Sequence, residues 1–145
     1  MKNLVLLMIP LLILTASCED ANQPSSVEET VTLEPGHYKG TYTYIWQVGS
    51  GNEDSVTCNT ELILLESEYS ISAIQRNCPP RSAGSCEITS TTITFQDTAV
   101  HTAEFDHALI IHGTYDYTFD DPTLEMSQMD TVLDRKYVYK LSKSN

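Results

Sequence analysis

Positive charge is scarce in this chain: eight Lys and Arg residues stand against 20 Asp and Glu residues, which gives a formal net charge of −12. Binding to nucleic acid requires several cations that neutralise phosphates, so this composition excludes a nucleic-acid partner. The same shortage leaves no basic patch that would attract anionic lipid. We interpret the acidity as a source of solubility and of repulsion between copies.

Motifs for catalysis and for metal binding are also lacking. No Ser-His-Asp order, Gly-rich phosphate loop or Cys-x-x-Cys pair occurs, so we predict no enzyme activity, no catalytic residue and no cofactor. The nearest approach to a metal motif is His101, Glu104 and His107. This segment has no helical pattern, and in an extended chain the two histidines would lie about 20 Å apart. We therefore predict surface histidines and no metal site.

Long hydrophobic runs are absent except at the N-terminus, where Leu4 to Leu14 follows the single charge of Lys2. As a helix this run would be roughly 16 Å long, against about 30 Å of bilayer hydrocarbon. It is too short to span a membrane, and the small residues that follow it are typical of a signal-peptidase site. Residues 1–17 are predicted to be a secretory signal.

The signal ends in Leu14-Thr15-Ala16-Ser17-Cys18, which resembles the lipobox of bacterial lipoproteins. The resemblance implies that Cys18 is acylated and becomes the first mature residue, so that the membrane is a partner through a lipid anchor. Glu19-Asp20 is similar to surface-export signals of some Gram-negative lipoproteins. The expected location is the outer membrane, with the protein facing the periplasm or the cell surface.

Residues 18–35 combine the lipidated cysteine with an acidic segment, Glu19 to Pro35, that contains Ser and Pro and few large apolar residues. Such a composition cannot bury enough surface to order itself, so we predict a flexible tether. A flexible chain of this length has an end-to-end distance of roughly 20 to 25 Å. Length allows one domain beyond the tether, at residues 36–145.

Period-two alternation runs through most of this domain and predicts half-buried strands joined by turns rich in Gly, Asn and Asp. Sequential hairpins of this kind favour an all-β, antiparallel up-and-down barrel of about eight strands, with a β-sandwich as the alternative. The predicted strands are His37–Gln47, Ser55–Glu66, Tyr69–Gln75, Cys86–Thr89, Thr91–Gln96, Leu109–Phe119, Thr123–Gln128 and Arg135–Ser142, with Val100–Phe105 as a further candidate. Residues 77–85 are predicted to form a loop.

Four short stretches of the domain together resemble small lipocalin-like domains of bacterial lipoproteins: Gly40-Thr41-Tyr42, Ile93-Thr94-Phe95, Gly113 to Tyr117 and Tyr137 to Leu141. Their placement of glycines and aromatics is also similar to META-type domains of secreted bacterial proteins. The lipocalin-like resemblance implies a cavity for a small apolar ligand. The META-type resemblance implies an inhibitor or stress-protective domain.

The predicted inner face is rich in aromatic residues, which are the candidate ligand-binding residues: Tyr42, Tyr44, Trp46, Tyr115, Tyr117 and Tyr139. A barrel of eight strands is just wide enough for side chains or for one small ligand, so these rings either line a cavity or fill it. A cavity favours a ligand-binding envelope lipoprotein. A packed interior favours a non-enzymatic interaction or structural protein with an envelope partner.

Three cysteines remain once Cys18 carries lipid, and an oxidising compartment then predicts one disulfide and one free thiol. Cys78 and Cys86 flank a Pro- and Gly-containing loop and are the favoured pair. Cys58 with Cys78 is the alternative, because a hairpin centred near Glu68 would place them opposite each other.

Overall fold

The computed structural model describes residues 33–48, 51–73, 78, 81–103 and 107–144. The predicted signal peptide, Cys18 and most of the predicted tether lie outside these residues. Within the described part of the chain, no helix is long and apolar enough to cross a membrane.

Eight antiparallel strands form one closed barrel in which each strand pairs with its neighbours in sequence and the last strand pairs with the first. The predicted up-and-down barrel is therefore confirmed, and the sandwich is wrong. The strands are β1 (Gly36–Trp46), β2 (Asp54–Leu64), β3 (Glu68–Ala73), β4 (Ser82–Ile88), β5 (Thr92–Asp97), β6 (Gly113–Asp120), β7 (Thr123–Asp130) and β8 (Arg135–Ser144). A short 3-10 helix, His107–Leu109, lies between β5 and β6.

The two ends of the barrel differ in their connections. At one end, which we call the closed end, lie the short turns 65–67, 89–91 and 121–122, together with the start of β1 and the end of β8. At the other end, which we call the mouth, lie the connections 47–53, 74–81, 98–112 and 131–134. The described chain therefore enters and leaves the barrel at the closed end, and the longer connections surround the mouth.

β1 is the longest-paired strand of the barrel because it joins β2 from Gly36 to Trp46 and β8 from His37 to Trp46. At Gly40 the backbone of β8 lies close beside β1, so that a Cβ atom there would collide with the backbone carbonyl of Lys140. The alternation in β1 places Tyr38 and Tyr42 in the interior, where both are fully buried. Aromatic residues at inward-facing positions of β1 thus form part of the core.

Three sequence predictions differ from the structure around the mouth. β4 begins at Ser82, inside the segment predicted as a loop. The described residues of the candidate strand Val100–Phe105 are not in a strand. The strand predicted from Leu109 begins only at Gly113, which has a φ of +79°. Leu109 and Ile111 are both buried, so they mimic the alternation of a strand although the backbone there is a 3-10 turn and a loop.

Leu33 belongs to the packed domain although its segment was predicted to be a tether. Its side chain is only 4% exposed and lies in the hydrophobic core. The next residue is held as well, because Lys143 Nζ lies 2.7 Å from Glu34 Oε2 and the Tyr38 hydroxyl donates to the Glu34 carbonyl at 2.6 Å. Burial raises the pKa of Tyr38 to about 12. The packed domain therefore includes Leu33 and Glu34.

The disulfide joins Cys58 of β2 to Cys78, with the two Cα atoms 6.0 Å apart, and Cys86 is a buried free thiol. The favoured pairing of Cys78 with Cys86 is wrong, and the alternative pairing and the single free thiol are confirmed. The reason is that residues 82–88 form a strand and not a loop. This strand places Cys86 about 13 Å along the barrel from Ser82. Burial raises the pKa of the Cys86 thiol.

Candidate functional site

The six candidate ligand-binding residues do not form one site but occupy three levels of the barrel. Tyr42, Tyr115 and Tyr139 are fully buried in the middle. Tyr44 and Trp46 lie at the end of β1 that reaches the mouth. Tyr117 points toward the closed end, where its hydroxyl donates to the Thr89 carbonyl at 2.8 Å. The pair at the mouth lies where a molecule from solvent can reach it, and Tyr117 is half-buried at a separate surface.

The middle of the barrel is filled by aromatic rings. The Tyr139 ring centroid lies 4.8 Å from that of Tyr42 and 5.8 Å from that of Tyr115. Phe95 continues the cluster, with centroids 5.6 Å from Tyr115 and 4.8 Å from Tyr69. Burial raises the pKa of both Tyr115 and Tyr139 well above the ordinary value. These rings occupy the space in which a lipocalin-like ligand would sit.

An open cleft of about 670 Å³ lies at the mouth. Its size falls within the range of about 300 to 1,000 Å³ that is usual for small-molecule sites. The apolar walls come from four parts of the chain that the barrel brings together: Tyr44, Trp46, Val56, Leu109 and Leu133. Leu109 follows β5, on the far side of the barrel from β1 and β2, yet it lines the same cleft as Tyr44 and Val56. We call this space the mouth cleft.

Two of the rings in a stack of three, Tyr44 and Trp46, line the mouth cleft, and the third, Tyr137, is buried behind them. Tyr44 lies in the middle, with its centroid 5.5 Å from Tyr137 and 5.4 Å from Trp46. The guanidinium carbon of Arg135 lies 5.8 Å from the Tyr44 centroid, which is a favourable cation–π geometry. The alternation of β1 and β8 predicts that these residues share a face, but only closure of the barrel brings the two strands together.

Two residues with left-handed backbone conformations line the mouth cleft, Gln47 with φ 60° and Asp134 with φ 50°. Few residues other than glycine adopt this conformation. The Val48 amide donates to the Asp134 carbonyl at 3.4 Å, so the two connections support each other. The side chain of Asp130 accepts from the amides of Val132 and Leu133, each at 3.0 Å. The rim of the cleft is therefore built by hydrogen bonds within and between its connections.

Exposed apolar side chains stand beside the mouth cleft on the turn between β7 and β8. Val132 is 90% exposed, Leu133 is 53% exposed, and Met129 at the end of β7 is 45% exposed. Apolar groups that face solvent together are typical of surfaces that meet a partner or a ligand.

A buried polar network holds the connection between β5 and β6 at both of its ends. His101 Nε2 lies 2.7 Å from Asp97 Oδ2, and the Ser82 hydroxyl donates to the other oxygen of Asp97. The Tyr69 hydroxyl lies 3.1 Å from Ser82 Oγ and 3.2 Å from the carbonyl of Ile111, to which it donates. The network thus runs from His101, at the start of the connection, to Ile111, near its end.

This network does not have the geometry of a catalytic triad. In a triad the histidine accepts the proton of the serine hydroxyl, whereas the hydroxyl of Ser82 donates to the carboxylate of Asp97. Burial would raise the pKa of Asp97, but the hydrogen bonds from Ser82, His101 and the Ala99 amide outweigh it and lower the pKa. Burial also raises the pKa of Tyr69 to about 12. We infer that the hydrogen bonds of this network stabilise the structure of the mouth.

Of the three residues that resembled a metal motif, His101 and His107 lie among the described residues, and His101 is the one that differs from the prediction. His101 is half-buried, with its side chain 9% exposed beside Asp97, so it is not the solvent-facing histidine that was predicted, whereas His107 is exposed. The connection folds so that the two imidazole centroids lie 6.3 Å apart. Glu104 lies outside the described residues. Across the described part of the chain, no group of three or more His, Cys, Asp and Glu side chains could hold a metal ion.

In comparisons with known proteins, no family model, no curated protein and no solved structure matches this chain. The lipocalin-like and META-type resemblances therefore rest on the sequence patterns alone. The evidence for the barrel is the strand pairing described above.

Proposed function

We propose that this chain is a membrane-anchored lipoprotein of the bacterial envelope whose barrel binds a small apolar ligand in the mouth cleft. The observation that carries the binding function is the cleft itself, which combines an aromatic wall with aliphatic side chains from Val56, Leu109 and Leu133. Such a lining, with a few polar groups at its edge, is typical of small-molecule sites. The prediction that the chain is not an enzyme stays a prediction.

The anchor is supported by the lipobox-like stretch that ends at Cys18. Several acyl chains on one residue hold a protein stably on a membrane, at about 0.8 kcal/mol for each buried methylene. The described chain begins at the closed end of the barrel, so an anchor that precedes Leu33 attaches there. In this arrangement the mouth cleft lies at the opposite end from the attachment, open to molecules in the surrounding compartment. The outer membrane is the location that we propose.

Native mass spectrometry of the mature protein, extracted without detergent exchange, tests the binding function. We expect a co-purifying apolar molecule of defined mass that is lost from a Trp46→Ala variant and kept in a Tyr117→Phe variant, whose change lies away from the mouth. A mature protein that carries no such molecule and binds no hydrophobic probe would count against ligand binding.

Fractionation of cells that produce a Cys18→Ser variant tests the anchor separately. The variant cannot be acylated at this position, so we expect it to move from the membrane fraction to the soluble fraction. A Ser17→Ala variant, which keeps the cysteine, is the matched control and should stay with the membrane. If the Cys18→Ser variant remains in the membrane, the anchor proposal is wrong.

A second candidate function is that of an interaction or structural protein of the envelope. Two observations favour it: the aromatic rings that fill the interior, and the exposed side chains of Met129, Val132 and Leu133. A photocrosslinking residue at Val132 should then capture a reproducible protein partner in vivo. The same residue at Thr118, which is exposed near the closed end, is the control and should capture none. Equal capture at both positions would argue against a specific surface at the mouth.

A further inference from the structure

The filled interior restricts which apolar molecules fit the mouth cleft. Tyr44 lines the cleft, and the next inward residue along β1 is Tyr42, whose ring is already in contact with Tyr139. A long alkyl chain needs a deep channel, and this channel is closed directly below the cleft. The space suits a compact ligand that lies across the mouth.

The ring stack indicates the shape of that ligand. Tyr137 and Tyr44 are nearly parallel, with an angle of 22° between their planes, and Trp46 continues the stack at 34° to Tyr44. Trp46 is the last residue of β1 and the outermost ring of the three. A flat aromatic ligand laid against the indole extends this stack by one ring, in the offset geometry that aromatic pairs prefer. Leu109 and Leu133 supply aliphatic contacts from the other walls.

Arg135 indicates the charge of the ligand. Among the described residues that line the cleft it is the one cation, and it is the direct cross-strand partner of Trp46 in the pairing of β1 with β8. Asp134, the one anion among the described lining residues, lies outside the strand in the preceding turn. A group attached to a ring on Trp46 therefore lies on the same face of the sheet as the guanidinium, whose planar fork matches a carboxylate.

We propose that the ligand of the mouth cleft is a planar aromatic acid whose ring stacks on Trp46 and whose carboxylate pairs with Arg135. This inference rests on the ligand-binding function proposed above and adds the chemical class of the ligand. Both recognition groups are held by the register of β1 and β8, so the site exists before the ligand arrives.

Isothermal titration calorimetry with three probes of similar size tests this class. The full chain with Cys18→Ser is titrated with 2-naphthoate, which has the ring and the acid, with 2-naphthol, which has the ring alone, and with decanoate, which has the acid alone. We expect 2-naphthoate to bind about tenfold more tightly than either of the others, which corresponds to about 1.4 kcal/mol. The chain contains one tryptophan, so a shift of the single indole N–H signal in a nuclear magnetic resonance spectrum shows that the probe lies at Trp46.

Variants separate the two contacts. Trp46→Leu should remove the preference for 2-naphthoate over decanoate, and Trp46→Tyr, which keeps a ring, should retain it. Arg135→Gln should remove the preference for 2-naphthoate over 2-naphthol. Arg81→Gln is the matched control, because Arg81 is exposed and does not line the cleft, and it should change neither preference.

The outcomes distinguish this inference from the broader function. If decanoate binds as tightly as 2-naphthoate, the aromatic class is wrong while binding of apolar ligands stands. If 2-naphthol binds as tightly as 2-naphthoate, the assignment of a carboxylate to Arg135 is wrong. If none of the three probes binds, the ligand-binding function falls together with its proposed class.

Discussion

Loss of the Cys58–Cys78 disulfide is expected to lower the free energy of unfolding by about 3 kcal/mol. The bond joins residues separated by 20 positions, and the chain-entropy model assigns about 3 kcal/mol at 25 °C to a loop of this length. A domain of this size has about 5 to 15 kcal/mol in total, so the loss is a large fraction. With an unfolding entropy near 2.1 cal/mol/K for each of roughly 110 residues, the Tm should fall by about 13 °C.

The assay is urea unfolding of the Cys18→Ser chain, followed through the fluorescence of Trp46, which is the one tryptophan. The double variant Cys58→Ala/Cys78→Ala is compared with Cys86→Ala, which removes the buried thiol and leaves the bond. We expect the double variant to lose about 3 kcal/mol and Cys86→Ala to lose about 1 kcal/mol. A reductant should destabilise the chain with both cysteines and leave the double variant unchanged.

Two results would refute this reasoning. A peptide map of the unreduced protein that joins Cys78 to Cys86 would show that the bond assigned here is wrong. Equal losses in the double variant and in Cys86→Ala would show that the loop between Cys58 and Cys78 contributes no constraint to the unfolded chain.

Three further predictions concern the core, the buried network and the buried tyrosines. Because Leu33 is in the core, Leu33→Ala should lower the free energy of unfolding, measured in urea, by about 2 to 5 kcal/mol. Leu65→Ala is the control and should have little effect, since Leu65 is 49% exposed. Equal effects of the two variants would place Leu33 outside the domain. The pKa of the Asp97 carboxyl is lower in the folded protein than in the unfolded chain. Its contribution to stability is therefore present above the pKa of the unfolded chain and is lost as the pH falls through the pKa of the folded protein. Asp97→Asn should accordingly flatten the acid side of a plot of Tm against pH. Tyr38 and Tyr69 have pKa values of about 12, whereas unfolded tyrosines ionise near 10. The free energy of unfolding should therefore fall as the pH rises from about 10 to 12. The absorbance of tyrosinate should rise together with unfolding. Full ionisation of these tyrosines in a still folded protein near pH 10 would contradict the burial of their hydroxyls.

Period-two alternation was sufficient to predict the barrel because it depends only on which side chains face inward. In β1 the alternation gave the buried positions of Tyr38 and Tyr42 correctly. It failed where a different backbone reproduces the same pattern, as in the 3-10 turn and loop that bury Leu109 and Ile111. Composition also misled at Leu33, since one buried leucine inside an acidic, Ser-containing stretch leaves no periodic signal.

The mouth cleft could be predicted only in part. The aromatic candidates included Tyr44 and Trp46, but the sequence does not show that Tyr42 and Tyr139 lie just below them and fill the interior. Arg135 and Leu109 were missed, because each lies far along the chain from Trp46 and reaches the cleft only once the barrel closes. The network of Tyr69, Ser82, Asp97 and His101 was missed for the same reason. Pairwise contacts between distant segments leave no local spacing from which to infer them.

The pairing of the first strand with the last sets the order of events when this protein folds. The Ser144 hydroxyl donates to the carbonyl of His37 across a sequence separation of 107 residues. Bringing the ends of such a segment together costs about 4 kcal/mol of free energy, through lost conformational entropy, before any contact is made. Folds dominated by pairings between distant residues form slowly. The barrel cannot close until β8 is available, so the seam between β1 and β8 is the last pairing that synthesis of the described chain makes possible.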